Sequence, residues 1–286
     1  MVESQTLSQT ETDRLLARVN QEIASSSFDS NDTQTIKQMV ECFSDPRGMV
    51  RLGFAEALGQ IGKPAVPFLL AALANHDNVV VRRAAAKTLI IIADPTTVPN
   101  LIHALLNDED TVVKGSSVGA LARTGEAAVA PLLDILTSSE SPESTKGHAA
   151  WALAFIGAQA KEQLYQVYDS DSPEVRAAVV GAIAKVAEEE KEAKAFNLLV
   201  NSLQDPAENV RSEAAAVLGN LTYQPAVPNL IALLEHPEAE TRKAAALSLM
   251  KIGDRTAIVS LEKTLEQETE STIKPIFKLA ISQLQK

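Results

Sequence analysis

A basic residue, preceded by a small or β-branched one, follows an acidic or proline-containing turn and precedes an alanine-rich run eight times in this 286-residue chain. The copies are Val50-Arg51, Val81-Arg82, Val113-Lys114, Thr145-Lys146, Val175-Arg176, Val210-Arg211, Thr241-Arg242 and Ile273-Lys274, at intervals of 30 to 35 residues. A second series, Pro67, Pro99, Pro131 and Pro228, keeps the same beat. Two ladders in one register mark a chain built from one repeated supersecondary unit, and that constrains its fold more than any other feature.

Each repeat reads as two helices. The first begins near the recurring proline, as in Val98-Pro99-Asn100-Leu101, where the missing N–H has no intrahelical partner to lose. The second follows a turn such as Asp45-Pro46, Ser172-Pro173 or His236-Pro237, with Asp or Ser placed to cap exposed amides. It runs to a glycine such as Gly62, Gly125, Gly157 or Gly253, where a left-handed residue can close a helix. Within the second helix the apolar positions fall three and four apart, as at Val210, Ala214, Val217 and Leu221, which is helical and not strand periodicity. One such pair cannot bury its own apolar face, so neighbouring repeats must stack on each other. The expectation is an all-α fold that resembles a HEAT-type α-solenoid, a right-handed superhelix of stacked helix pairs with concave and convex surfaces.

The domain reading follows the beat. Residues 1–12 are expected to be disordered, and residues 13–43 to supply two capping helices separated by Ser25-Ser26-Ser27. Residues 44–286 form the solenoid, closed by a single helix within Ser271 to Lys286. The widest interval, between Arg176 and Arg211, contains Glu188-Glu189-Glu190-Lys191-Glu192 and predicts a longer acidic connection there.

The 26 Lys and Arg stand against 37 Asp and Glu, a net charge of −11, so the mean field repels phosphate backbones and nucleic acid is excluded as a partner. Cys42 is the only cysteine, which rules out an internal disulfide and points to a reducing, cytoplasmic setting. No apolar run approaches the ~18 residues a membrane span needs, and no charged segment leads into an apolar one near Met1, so neither membrane insertion nor a secretory signal is expected.

Catalytic and metal chemistry find no foothold. The four histidines, His76, His103, His148 and His236, lie in different repeats with no pair at metal-ligand spacing. There is no glycine-rich phosphate loop, no serine elbow and no cysteine beside an activating histidine. No metal and no obligatory cofactor are expected. The recurring Arg51, Arg82, Lys114, Arg176, Arg211 and Arg242 read as a structural ladder, each pairing with a turn acid of its own or the next repeat. The one repeat that stands apart is Lys146-Gly147-His148-Ala149-Ala150-Trp151-Ala152-Leu153. Counted from the basic residue, His148 is at plus two and Trp151 at plus five, three apart and so on one helix face, away from the core leucines at plus seven. The plus-five residues of the flanking repeats are Gly119 and Gly181, which leaves room beside the indole. The expected groove site therefore comprises Trp151, His148, Lys146, Gly119 and Gly181, with Tyr165 on the following helix and Tyr168 and Tyr223 as further aromatics. The alternative is an indole that packs between neighbouring helices.

The period, the alanine-rich second helices and the Lys146 to Leu153 run resemble the cyanobacterial HEAT-like family of phycocyanobilin lyase E and F subunits and the phycobilisome degradation protein. Members carry an Arg-Tyr-Tyr-Ala-Ala-Trp-x-Leu-Gly run. Ala149, Ala150, Trp151 and Leu153 match it, whereas Lys146 stands for the arginine and Gly147-His148 for the tyrosines. The resemblance implies a protein-binding adaptor or scaffold in bilin or phycobilisome metabolism, with a phycobiliprotein subunit or a second HEAT-repeat chain as partner and phycocyanobilin as ligand. It also leaves open a bilin lyase or lyase-isomerase subunit. An assembly factor for another photosynthetic or metallocluster client is the third reading.

Overall fold

A computed structural model describes residues 7–286. Every regular element among them is helical. The chain gathers into two compact units, one reaching to Pro131 and including Ser141–Ala152, the other formed by Leu132–Glu140 and Leu153–Lys286.

The first unit opens with α1 (Gln9–Ala24) and α2 (Thr33–Glu41), with Ser25 to Ser27 between them. Helix α1 starts inside the stretch expected to be disordered. Ser8 accepts from the Glu11 amide while the Glu11 carboxylate takes the Ser8 N–H at 2.8 Å, a capping box that fixes the first turn. The rest of that expectation, residues 1–6, lies outside the described residues. Helices α3 (Gly48–Ile61), α5 (Val79–Ile92) and α7 (Thr111–Arg123) pack side by side, with α4 (Val66–Asn75) and α6 (Val98–Asn107) backing them. Leu58, Leu89 and Leu121, all at plus seven, are sealed in this layer.

Helices α8 (Val129–Thr137) and α9 (Glu143–Ile156) follow. The second unit continues through α10 (Lys161–Gln166), α11 (Pro173–Glu190), α12 (Ala193–Asn201), α13 (Glu208–Asn220), α14 (Val227–Leu233), α15 (Ala239–Ile252), α16 (Ile258–Gln267) and α17 (Lys274–Leu284). Helices α11, α13, α15 and α17 form its row, with Ile183, Leu218 and Leu249 buried at plus seven. The expected single closing helix is α17. Gly62, Gly125, Gly157 and Gly253, read as helix closures, all adopt positive φ.

The long interval between Arg176 and Arg211 is not the extended acidic connection the sequence suggested. It is taken up as helix: α11 has 18 residues where α13 has 13 and α15 has 14. The Glu188 to Glu190 run contains good helix formers with neither Gly nor Pro to stop it, and Val186 and Ala187 keep an apolar side buried. Lys185 pairs with Glu188 at 2.8 Å one turn on, and the helix ends only at Lys191, which takes a left-handed φ of 52°.

Alanine-rich faces bring the second helices of successive repeats together, most closely at α13 and α15. A Cβ on Gly219 would lie 2.9 Å from the Ser248 Cα and 2.8 Å from its Oγ, while that hydroxyl donates to the Ala215 carbonyl. A clash with a Cα cannot be relieved by side-chain rotation. Gly219→Ala is therefore expected to lower stability by about 1–3 kcal/mol, seen as a lower midpoint in urea, although alanine favours helix elsewhere.

The arginine ladder and the exposed face of α9

The recurring arginines share one geometry. Nη1 donates to the carbonyl six residues back in the preceding turn: Arg51 to Asp45 at 2.6 Å, Arg82 to His76 at 3.0 Å, Arg176 to Ser170 at 2.8 Å, Arg211 to Asp205 at 2.6 Å and Arg242 to His236 at 2.9 Å. In four of the five the other edge of the guanidinium takes a carboxylate of the following turn. Arg82 meets Asp108 at 2.9 Å, Arg176 meets Asp205 at 2.8 Å, Arg242 meets Glu268 at 2.7 Å, and Arg211 pairs with Glu238. The planar fork suits this double duty, since one group satisfies helix-end carbonyls and a carboxylate at once. Asp205 and Glu268 sit below the usual carboxylate range; Arg242 is the main cause at Glu268, and at Asp205 the Arg176 guanidinium outweighs the burial. At Lys114 and Lys146 the guanidinium is missing. Lys146 instead pairs with Glu143 on its own helix at 3.3 Å.

Helix α9 carries Lys146, His148 and Trp151 together. Thr145, Ala149, Ala152 and Leu153 are buried, which turns the opposite face outward. His148 is exposed, and Trp151 is 54% exposed, unusual for the largest apolar side chain. A side chain at Gly147 would meet nothing within 4 Å, so the backbone beside the indole lies open. Phe155, further along α9, is 48% exposed as well. Its signal was the four-residue spacing from Trp151, masked in the sequence by an apolar run that reads as core throughout.

The two glycines serve other neighbours. A Cβ on Gly119 would come 3.2 Å from the Ile90 Cδ1, and one on Gly181 would come 3.0 Å from a Glu213 carboxylate oxygen. Tyr165 is engaged within the second unit: its hydroxyl donates to Glu192 at 3.0 Å and the Lys194 ammonium lies 4.0 Å from the ring centre. Burial and that carboxylate hold the phenol above its ordinary range. Tyr168 donates to the Leu198 carbonyl at 2.9 Å, and Tyr223 stacks on Phe196 with centroids 4.3 Å apart.

No group of acids, histidines and cysteine among the described residues could hold a metal ion. Cys42 is buried, and burial pushes its thiol up to about 11, far from a nucleophile's range. No single helix among the described residues is long and apolar enough to cross a membrane.

Five overlapping stretches, residues 5–89, 36–122, 66–154, 129–201 and 196–276, match the family model described as HEAT repeats. The chain is 38% identical over 286 residues to the bilin biosynthesis protein MpeU of Synechococcus sp. strain WH8020, covering 100% of this chain and 96% of that protein. A stretch of 83 residues is 40% identical to the phycocyanobilin lyase subunit alpha of Nostoc sp. strain PCC 7120, covering 27% of this chain and 30% of the other. Among solved structures, the karyopherin Kap121p bound to the extreme C-terminus of the protein phosphatase Cdc14p aligns with a TM-score of 0.59 at 14% identity, over 99% of this chain and 38% of that one, a likeness of fold alone. The chain is an all-α solenoid that belongs to the HEAT-repeat family, and within it to the group that includes the bilin biosynthesis protein of Synechococcus.

Proposed function

We propose that this chain binds an open-chain bilin on the exposed face of α9 and presents it to a phycobiliprotein subunit. The observation that carries the reading is the 38% identity to a bilin biosynthesis protein along the entire chain. The geometry supports it at Trp151. A half-exposed indole beside the bare backbone of Gly147 offers a flat apolar surface on which a conjugated tetrapyrrole can stack. A bilin also carries two propionates, which the net charge of −11 repels at a distance, so binding needs local cations. Lys146 supplies one on the same helix, and the exposed His148 offers a ring N–H beside it.

The test is a titration of the purified protein with phycocyanobilin, followed by absorbance. The wild type is expected to shift and sharpen the visible band with saturation. Trp151→Ala, which alters an exposed side chain and should leave the fold intact, is expected to raise Kd about tenfold or more, about 1.4 kcal/mol. A wild-type spectrum that never changes would end the reading.

A second reading, catalysis of bilin attachment, is favoured by the match to a phycocyanobilin lyase subunit, which is confined to about a quarter of the chain. It is separated from presentation by mixing protein, bilin and an unloaded phycobiliprotein subunit. A coloured adduct that survives acid denaturation and forms only with this chain present supports catalysis. Binding without such an adduct supports presentation.

A further inference from the structure

One carboxyl in the second unit has no counter-charge. Glu213 lies on α13 two residues after Arg211, with no hydrogen bond or ion pair among the described residues, and burial alone pushes its carboxyl above the usual carboxylate range. One of its oxygens sits in the seam with α11, 3.0 Å from where a side chain on Gly181 would begin. Beside it, the Ser212 hydroxyl oxygen is buried and has no hydrogen-bond partner either. A buried hydroxyl and a half-buried carboxyl thus lie side by side with no partner among the described residues, a costly arrangement wherever it serves only the fold.

The repeat shows that the position does not require such a group. At plus two five of the eight copies place Gly53, Ala84, Ser116, Ala178 and Ala244, small residues that let the second helices approach. The departures are His148, already assigned to the α9 face, the apolar Ile276 of the last copy, and Glu213, which alone among them is an acid. The surroundings narrow the ligand further. Gly181 presents bare backbone to the carboxyl, which packs against it and is held in the seam with no side chain between them. Two turns along α13, Asn220 accepts a 2.6 Å hydrogen bond from the Lys251 ammonium, a cation with no carboxylate partner among the described residues.

We infer that Glu213 is a binding residue that accepts hydrogen bonds from the pyrrole N–H groups of an open-chain tetrapyrrole, with Lys251 placed for one of its propionates. The inference rests on the bilin reading above and assigns it a second contact site, separate from Trp151. A carboxyl there has two consequences for the ligand. It fills the unsatisfied acceptor with ring N–H donors, and it favours the nitrogen-protonated chromophore, whose long-wavelength band is the stronger.

The experiment titrates phycocyanobilin into the full chain, its Glu213→Gln variant and its Gly181→Ala variant, with far-UV circular dichroism to confirm folding. Glu213→Gln keeps the shape but removes the charge. Gly181→Ala keeps the carboxyl but pushes it out of the seam. Both are expected to weaken binding at least tenfold, and with Glu213→Gln the bound long-wavelength band should fade at a lower pH than in the wild type. Loss of packing alone would not move that pH profile. Wild-type affinity and pH profile in the folded variants would overturn the inference while leaving the bilin reading standing. Absence of any bilin binding by the wild type would overturn both. If Glu213→Gln does not fold, Gly181→Ala decides by the same criteria.

Discussion

Replacing Arg242 with alanine is expected to destabilise the protein by about 3–5 kcal/mol, the usual cost of leaving a buried charge without its partner. The Glu268 side chain is 1% exposed and receives Nε and Nη2 of Arg242 at 2.8 and 2.7 Å. Without the guanidinium, its carboxylate keeps only the backbone amides of Thr269 and Glu270, each at 2.9 Å. The carbonyls of His236 and Pro237 lose a donor in the same stroke. Arg242→Lys should recover part of the loss, since an ammonium keeps the charge but not the fork. The pH dependence follows from the direction of the Glu268 shift. Its folded-state carboxyl is held below the ordinary value by Arg242, so the folded state binds fewer protons than the unfolded chain. The stability this contributes is complete above the unfolded value of about 4.3 and is lost as pH falls through the folded one. Thermal melts should therefore show the gap between wild type and Arg242→Ala narrowing under acid, where the stranded carboxylate takes a proton. A gap that stays constant from neutral pH down to about pH 3 would contradict this account.

Leu218→Ala is expected to cost about 2–5 kcal/mol, measured as a lower urea midpoint, because the side chain is fully buried where α13 meets its neighbours and the void cannot collapse against packed helices. Met49→Ala offers the contrast. That side chain is 77% exposed, and its removal should change stability by no more than about 0.5 kcal/mol. Equal effects at the two sites would mean that the plus-seven row is not the core.

The repeat makes this core legible in the sequence, because a 30- to 35-residue beat permits few ways to bury an apolar stripe. The helix pairs, the buried plus-seven row and the positive-φ glycines were all readable from spacing. What escaped the sequence depended on partners several repeats away or on small energy differences. The four glutamates around Lys191 suggested a loop because charge runs often lie in solvent, yet three of them, Glu188 to Glu190, continue α11, where helix propensity meets no stop signal, and the fourth, Glu192, leads into α12. The start of α1 hid in a polar stretch whose capping box is a local contact between Ser8 and Glu11. At the candidate site, the exposure of Trp151 was foreseeable from its spacing to His148. The roles of Gly119 and Gly181 were not, since Ile90 and Glu213 reach them from other helices. Glu213 itself carried a sequence signal, an acid among mostly small plus-two residues, but only the structure shows it against Gly181 in the seam with α11, with no ion pair among the described residues.

The arginines of the second unit reach forward by one repeat and no further: Arg176 to Asp205, Arg211 to Glu238, Arg242 to Glu268. Cooperativity built from such links is short-ranged, so amide hydrogen exchange in this unit should be graded, slowest at α13 and progressively faster toward α17. A lesion at one rung would then loosen the segment downstream of it before it reached the segment upstream.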